Sequence, residues 1–304
     1  MAAGGNVMGT GGFAPLLKPG LHDVVLETGT ERPREYDKVF NVDDMDWNGM
    51  TDQQIAGLGA MQAKPQGTNF RLDRMLLGGT KTWTATPYGL AIEFTYEMWR
   101  DELYGIAKQM VAELARSGRH REEIDAWSIL NNAFSTSFVG FAGGESLCST
   151  SHTLVGGGTL ANRPSNDIGF SITGIQNAIV RFEGLTNHRG LPRLMSPSRV
   201  IVGKTNRFAA REILGSAAVP YKSDNEINAL IEDDLSWMVS HYLTTATNWF
   251  MLAAKGIHNL WFRWRDRPIF DGFDDPRNKN AIFTLYQRHA VGFTTWEGVD
   301  GSNA

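Results

Sequence analysis

The sequence predicts an α+β protein that is organised around one unusually long helix. Apolar residues recur at helical spacing between residues 95 and 132, a stretch far longer than an average helix. Short strand-like runs return through the C-terminal half without a regular alternation of strand and helix, as is typical of α+β folds. The 304 residues, 42% of them hydrophobic, suffice to bury a core in one large domain or two modest ones.

Residues 1–44 are predicted to form an extended arm. Glycine and proline interrupt this stretch repeatedly, and only a short patch around Val24 has helical character. A segment of this composition cannot form a core alone. We therefore expect its apolar side chains to be buried against the long helix or an adjacent copy of the chain, namely Phe13, Leu16, Leu17, Leu21, Val25 and Phe40.

Residues 45–94 are predicted to form a long loop with β character. Glycines and a proline break its first part, and the strongest strand propensity lies at 90–94, which we assign to the second limb of the loop. A loop of this length is unusual inside a compact domain, so it is expected to be functional or buried between subunits. Its basic residues Arg71, Arg74 and Lys81 are expected to meet acidic groups on a neighbouring subunit.

The long helix is predicted to cover residues 95–132. Ser117 and Gly118 fall in its middle and are expected to weaken it locally without changing its register. A helix of this length usually serves as a backbone on which other elements pack. Its predicted apolar stripe comprises Trp99, Leu103, Ile106, Met110 and Leu114, and then Ile124, Trp127 and Leu130.

The rest of the chain is predicted to contain two shorter helices and several strands. Ser171 can cap the first helix, whose apolar residues from Ile172 to Phe182 fall on one face, and a second helix covers 205–215. The segment 266–280 is rich in Asp, Pro and Asn and therefore indicates a turn-rich loop. Strands are predicted at 199–202, 235–239, 248–252, 260–264 and 281–298.

Charge and cysteine content bound the class of protein. The formal net charge is -4, and no basic face is evident, which argues against a dedicated duplex-binding protein. The single cysteine, Cys148, permits no internal disulfide or cysteine metal cluster, so a reducing cytoplasm is expected. The sequence shows neither a secretory signal nor the ~18 uninterrupted apolar residues that a membrane helix needs.

No catalytic, cofactor-binding or metal-ligating residue is assigned. Cys148 and His152 are close in sequence, but adjacency along the chain seldom gives a nucleophile and its base the required geometry. The glycines at 156–158 lack the Lys-Ser/Thr of a phosphate-binding loop, so a flexible turn is expected. The histidines are scattered without the spacing of metal ligands.

Several short strings occur in a fixed order along nearly the whole chain. They are 13–17 (FAPLL), 35–40 (EYDKVF), 88–95 (YGLAIEFT), 130–134 (LNNAF), 146–152 (SLCSTSH), 248–252 (NWFML) and 288–293 (RHAVGF). Each string alone is unspecific, but together their order and spacing resemble the major capsid proteins of tailed bacteriophages, which have the Hong Kong 97-like fold.

The resemblance implies a role for each part of the sequence. Residues 1–44 would be the N-terminal arm, 45–94 the extended β-hairpin loop, and 95–164 the peripheral domain with its spine helix. Residues 165–262 would be the axial domain, 263–290 the peripheral-domain loop and return strand, and 291–304 the last axial strand. The candidate intersubunit contacts are Phe13, Leu16, Leu17, Leu21, Arg71, Arg74, Lys81, Arg263 and Arg265.

The resemblance also implies the partners. The chain would assemble with itself through hexamers and pentamers into an icosahedral shell around double-stranded DNA, which it would contact without sequence specificity. A portal protein, a separate scaffolding protein and a decoration protein would be further partners, and no membrane is involved. Some relatives weld subunits through Lys–Asn bonds, but no acidic catalyst or Asn partner is evident for Lys81, so no such bond is expected.

Two alternatives remain open at this point. An encapsulin-type nanocompartment shares the fold but houses cargo enzymes, and the arm and the 146–152 string favour the phage branch instead. A cytoplasmic hydrolase that uses Cys148 would need a pocket with a base and an oxyanion hole. The sequence shows no sign of either feature.

Overall fold

The computed structural model describes residues 23–25, 27–28, 33–100, 104–141, 143–216 and 227–304. These residues form two compact units, each built from separated stretches of the chain. The first unit contains the described residues up to Arg34, Ala85–Glu123 and Trp264–His289; the second contains Glu35–Thr84, Ile124–Arg263 and Ala290–Ala304. Helices and strands are mixed, which confirms the predicted α+β class.

The strands are β1 (Asn41–Asp44), β2 (Met50–Ala56), β3 (Leu76–Trp83), β4 (Thr86–Phe94), β5 (His152–Thr153), β6 (Thr159–Leu160), β7 (Pro197–Val202), β8 (Ser236–Val239), β9 (Trp249–Ala253), β10 (Leu260–Asp274), β11 (Ala281–Phe293) and β12 (Val299–Ser302). The helices are α1 (Tyr96–Arg100), α2 (Tyr104–Asn131), α3 (Ile172–Glu183) and α4 (Arg207–Gly215), with short 3-10 helices at Tyr36–Lys38, Lys204–Asn206 and Ala229–Ile231. Two four-stranded sheets have the orders β1-β10-β11-β4 and β12-β9-β7-β8, and β2-β3 and β5-β6 are two-stranded.

In the first unit, α2 packs against the antiparallel pair of β4 and β11. Phe94 lies opposite Ala281 in the strand register. Ala107 and Val111 of α2 share one core cluster with these residues and with Phe283. The rings of Phe94 and Phe283 meet edge to face at 5.8 Å, a favoured geometry for aromatic pairs. Small residues on the helix thus face large ones on the sheet.

The buried face of the long helix agrees with most of the predicted stripe. Leu114, Trp127 and Leu130 are buried as predicted, and Met110 packs against the core cluster. Ile106 and Ile124 are 42% and 40% exposed, whereas Ala107 is buried. Leu103 and the side chain of Trp99 lie outside the described residues. Close approach to the sheet favours small side chains at the contact, and this turns the isoleucines away from it. The helix continues through Ser117 and Gly118, as predicted, since α2 runs without interruption from Tyr104 to Asn131.

The second unit is built around β9. This strand lies between β7 and β12, pairs antiparallel with both, and buries all five of its residues. The core above it includes Ile175 and Phe182 of α3 and Ile213 of α4. The Ser171 hydroxyl accepts a hydrogen bond from the Gly174 amide at 3.2 Å, which confirms the predicted helix cap.

Two predictions about strands are wrong. Residues 90–94 lie in β4, which pairs with β11; the second limb of the extended loop is β3, paired with β2 so that Met50 faces Trp83. The segment 266–280 is not mainly loop, because β10 continues to Asp274 and only 275–280 turn before β11. Strand propensity does not specify a partner, and pairing with a long neighbouring strand overrode the local composition.

Candidate assembly surface

The base of the hairpin formed by β2 and β3 is held by an ion pair whose arginine is buried. Arg263 Nη1 lies 2.9 Å from Asp52 Oδ2, and the Trp83 indole N–H donates to the same oxygen at 2.8 Å. The Arg263 guanidinium also lies 4.4 Å from the centre of the Trp83 ring. Because Arg263 and Trp83 are only 5% and 1% exposed, these groups hold the hairpin to the rest of its unit.

Further contacts hold both strands of the hairpin. Lys81 Nζ donates to the Val139 carbonyl at 2.7 Å, and burial lowers the pKa of its ammonium group. On β2, Gln54 Nε2 lies 2.7 Å from His188 Nε2. At Gly79 a side chain is impossible, because a Cβ there would lie 1.8 Å from the Phe141 carbonyl oxygen. These contacts hold both strands of the hairpin against the rest of its unit.

We call the segment between the two strands, residues 57–75, the hairpin tip. Asp73 joins its two ends. The Asp73 carboxylate accepts hydrogen bonds from the Gly59 amide at 2.8 Å and from Arg189 at 2.5 Å. These bonds, chiefly that from Arg189, hold the pKa of the Asp73 carboxyl well below its usual range. The tip is thus a closed loop that is held to the rest of the second unit, although it contains no regular strand.

The tip displays apolar side chains to solvent. Met61, Phe70 and Leu72 are 101%, 81% and 93% exposed. Single exposed hydrophobic residues are common, but several on one projecting loop are typical of a protein–protein interaction site. The tip is therefore the strongest candidate assembly surface among the described residues.

The structure separates the predicted contact residues into three groups. Arg71 and Arg74 are exposed on the tip. Lys81 and Arg263 contact their own chain at the hairpin base. Lys81 donates to the Val139 carbonyl and Arg263 pairs with Asp52, so both have little surface left for another subunit. Arg265 is half-buried in β10. The arm residues Phe13, Leu16, Leu17 and Leu21 lie outside the described residues.

The described end of the arm packs on its own chain. Phe40 is buried and meets the ring of Trp127 in α2 edge to face at 5.7 Å, and Tyr36 stacks on Phe262 at 4.6 Å. The sequence interpretation missed the apolar residues of the tip and the role of Asp73. The alternation of apolar and charged residues from Phe70 to Met75, inside a glycine-rich loop, was the signal that could have revealed them.

The surroundings of Cys148 do not support a hydrolase. Burial, and then the nearby Asp300 carboxylate, raise the pKa of the Cys148 thiol well above its ordinary value, so the reactive thiolate is disfavoured. His152, the nearest base in the sequence, directs its two ring nitrogens to Glu145 and Asn162 at 3.0 and 2.9 Å. Its ring stacks on Trp296 and is buried.

Among the described residues, no helix combines the length and the apolar character needed to cross a membrane. Within the same part of the chain, no three His, Cys, Asp or Glu side chains converge as metal ligands would.

Comparison with solved structures identifies the fold. A chain from the capsid of the cyanophage P-SCSP1u matches with a TM-score of 0.55 at 9% identity, covering 89% of this chain and 88% of that one. The capsid of Myoviridae phage XM1 gives 0.52 at 11% identity and covers 91% and 90%. A virus-like particle from Pyrococcus furiosus gives 0.57 at 8% identity and covers 94% and 98%. At such low identity, these likenesses establish the fold alone.

Comparison with families and curated sequences gives a complementary result. No curated protein sequence matches the chain. The model of a family described as phage capsid protein matches residues 79–299, which is well over half of the chain. Together with the Hong Kong 97-like fold, this match establishes that the chain belongs to the phage capsid protein family and is a major capsid protein, a structural component of the virion shell.

Proposed function

We propose that copies of this chain assemble through hexamers and pentamers into an icosahedral shell that encloses double-stranded phage DNA. The observation that carries the proposal is the β2–β3 hairpin. It is locked at its base by Asp52, Arg263 and Trp83 but ends in a tip whose Met61 and Leu72 are almost fully exposed. A hairpin that is held firmly by its own unit and carries exposed apolar side chains at its end is suited to binding a neighbouring subunit.

The energy of such a shell comes from repetition. Each exposed apolar side chain that a neighbour covers contributes roughly 1.5–3 kcal/mol before ordering costs. One tip alone would bind weakly, but a closed shell forms many such contacts together. Weak individual contacts also let wrongly placed subunits leave during growth.

We also propose a role for each segment, as membership of the phage capsid protein family suggests. The axial domain, 165–262, surrounds the capsomer axis, while the arm, 1–44, and the extended loop, 45–94, lap over neighbours. Assembly takes place in the host cytoplasm with a scaffolding protein, and the shell accepts a portal protein at one vertex and a decoration protein outside. The packaged DNA is contacted without sequence specificity, in keeping with the modest net charge of -4.

Electron microscopy and sedimentation test this function directly. The purified chain, expressed alone and together with the scaffolding protein of the same phage, should form closed particles or capsomers that sediment far faster than a 33.6 kDa monomer. Particles that copurify with a bacterial enzyme and no DNA-packaging partner would favour the nanocompartment alternative. A chain that stays monomeric under both conditions would contradict the proposal.

A further inference from the structure

The hairpin tip forms a concave surface of mixed apolar and basic character. Leu58, Met61 and Phe70 line it, with Lys64 and Arg71 among the lining residues as well. The Lys64 ammonium lies 4.8 Å from the centre of the Phe70 ring. The one acidic residue of the tip, Asp73, is already paired with Arg189, so the charge that the tip offers to a partner is positive. An occupant should therefore be apolar at its centre and acidic around it.

A turn at the other end of the same hairpin has the opposite character. Residues 43–49, called the acidic turn below, contain three aspartates and no basic residue. Met45 is buried in a core cluster with Trp83, and the Gly49 amide donates to the Trp83 carbonyl at 3.0 Å, so the turn is held in place. Trp47 is nevertheless 62% exposed. Its exposed flanking aspartates are Asp43, Asp44 and Asp46.

We infer that the hairpin tip of one subunit binds the acidic turn of a second copy, with Trp47 seated in the concave surface and Lys64, Arg71 and Arg74 facing the three aspartates. Tryptophan and arginine are the side chains that most often dominate binding energy at interfaces. The charges match, with three cations on one side and three carboxylates on the other. This inference rests on the proposed function and names the partner surface of the candidate assembly site.

The two surfaces cannot satisfy each other within one chain. The acidic turn directly precedes Met50, the first residue of β2, whereas the tip follows Ala56 at the far end. Seven strand residues span about 20 Å, so the contact requires a second subunit. Every copy carries one tip and one turn; repeated head to tail about an axis, this contact closes a ring.

A rival acidic segment is less suitable as the occupant. Glu232, Asp233 and Asp234 are also exposed and could meet the basic side chains of the tip. Their apolar neighbour Ile231 is only 43% exposed, and the segment offers no aromatic ring for the concave surface. This segment therefore serves as the matched control.

Engineered disulfides test the pairing in assembled particles. The only native thiol is buried, and a Cys148→Ala background removes it. In that background, Trp47→Cys with Met61→Cys, which lines the concave surface, should give a ladder of covalent multimers on a denaturing, non-reducing gel after mild oxidation. The control, Asp233→Cys with Met61→Cys, should give a single band. Particles without a ladder in the first variant, or a ladder in the control alone, would overturn the inference.

Charge exchange supplies a second test. Arg71→Glu with Arg74→Glu should lower particle yield by about tenfold, and adding Asp43→Lys with Asp46→Lys to the same chain should restore it. Rescue by Glu232→Lys with Asp233→Lys instead would identify the rival segment and reject the acidic turn. If the unmodified chain forms no particles, the proposed function fails; if it does but neither test succeeds, only this pairing fails.

Discussion

Strand β9 and the hairpin of β2 and β3 are both antiparallel β structure, yet they use their apolar residues in opposite ways. All five residues of β9 are buried within the chain. In the hairpin, Ile55 and Leu77 are 58% and 71% exposed, and most apolar residues of the tip are exposed as well. β9 thus stabilises the subunit, whereas the exposed apolar side chains of the hairpin are available for the assembly contact that we propose.

The largest effect on the fold is expected from Trp249→Ala in β9. Trp249 is fully buried, meets the ring of Phe170 at 5.8 Å and donates its indole N–H to the Ile168 carbonyl. Removing it should lower the free energy of unfolding by about 4 kcal/mol, measured by urea denaturation of the subunit. The matched control is Phe208→Ala, which truncates an exposed ring and should cost less than about 0.5 kcal/mol. If both variants lost the same free energy of unfolding, β9 would not be the main source of subunit stability.

The next largest effect is expected at the hairpin base. Arg263→Ala leaves the Asp52 carboxylate and the Trp83 ring without the guanidinium that joins them, and should cost about 3 kcal/mol in the same measurement. Arg267→Ala, at an exposed position of the same strand, should cost no more than about 1 kcal/mol. If the two variants unfold at the same denaturant concentration, the base does not lock the hairpin.

A smaller, pH-dependent effect is expected beside β9, at Asp300 in β12. Burial raises the pKa of the Asp300 carboxyl to about 6, although Arg181 pairs with it. The folded chain therefore binds more protons here than the unfolded chain, in which the pKa of an Asp is about 3.9. The stabilising contribution of this group is complete below that lower pKa and is lost as the pH rises through about 6.

Comparison of the wild type with Asp300→Asn isolates this contribution, because asparagine does not titrate. Between pH 4 and pH 6, the stability of the wild type relative to the variant should fall with pH, by at most about 1.4 kcal/mol per pH unit. Above that window, the two stabilities should run in parallel. Urea unfolding at each pH provides the measurement, and parallel curves throughout would show that folding does not raise the pKa of Asp300.

The smallest effect on the fold is expected at the hairpin tip, where the effect on assembly should be large. Phe70→Ser with Leu72→Ser should change the free energy of unfolding by less than about 0.5 kcal/mol, because both side chains are exposed. Particle formation, followed by sedimentation, should nevertheless be lost. Gln66→Ser changes a polar residue of the same loop that does not line the concave surface and should affect neither property. A stable subunit that still assembles normally would remove the tip from the interface.

Local patterns in the sequence predicted those elements whose determinants are local. The helix capped by Ser171 was predicted with its apolar face, because an N-cap and a 3.6-residue period are written in consecutive residues. The long helix was also predicted, together with most of its buried face, including Leu114, Trp127 and Leu130. Ala107 replaced Ile106 at the contact because the closeness of the opposing sheet, which is absent from the sequence of the helix, decides which side chains fit.

Pairing between distant strands could not be predicted in the same way. Residues 90–94 were correctly recognised as strand, but their partner in β11 lies almost two hundred residues away. Pro268 and the aspartates of β10 suggested a loop. Since β1 has only four residues, it covers only part of the fifteen-residue β10, and an uncovered strand edge tolerates proline. The sequence predicted that the loop at 45–94 holds a candidate contact, but it did not identify the apolar side chains of the tip.

The lock at the hairpin base has a consequence for the curvature of a shell. A hairpin of about 20 Å acts as a lever, so a rotation of about 5° at its base would carry the tip sideways by about 2 Å. A displacement of that size is enough to separate atoms in van der Waals contact. The side chains of Asp52, Trp83 and Arg263 at the base, together with the Asp73–Arg189 pair at the tip, thus limit this rotation. If the hairpin binds a neighbouring subunit as proposed, small changes at these contacts would alter the angle between subunits, and with it the diameter of the particle.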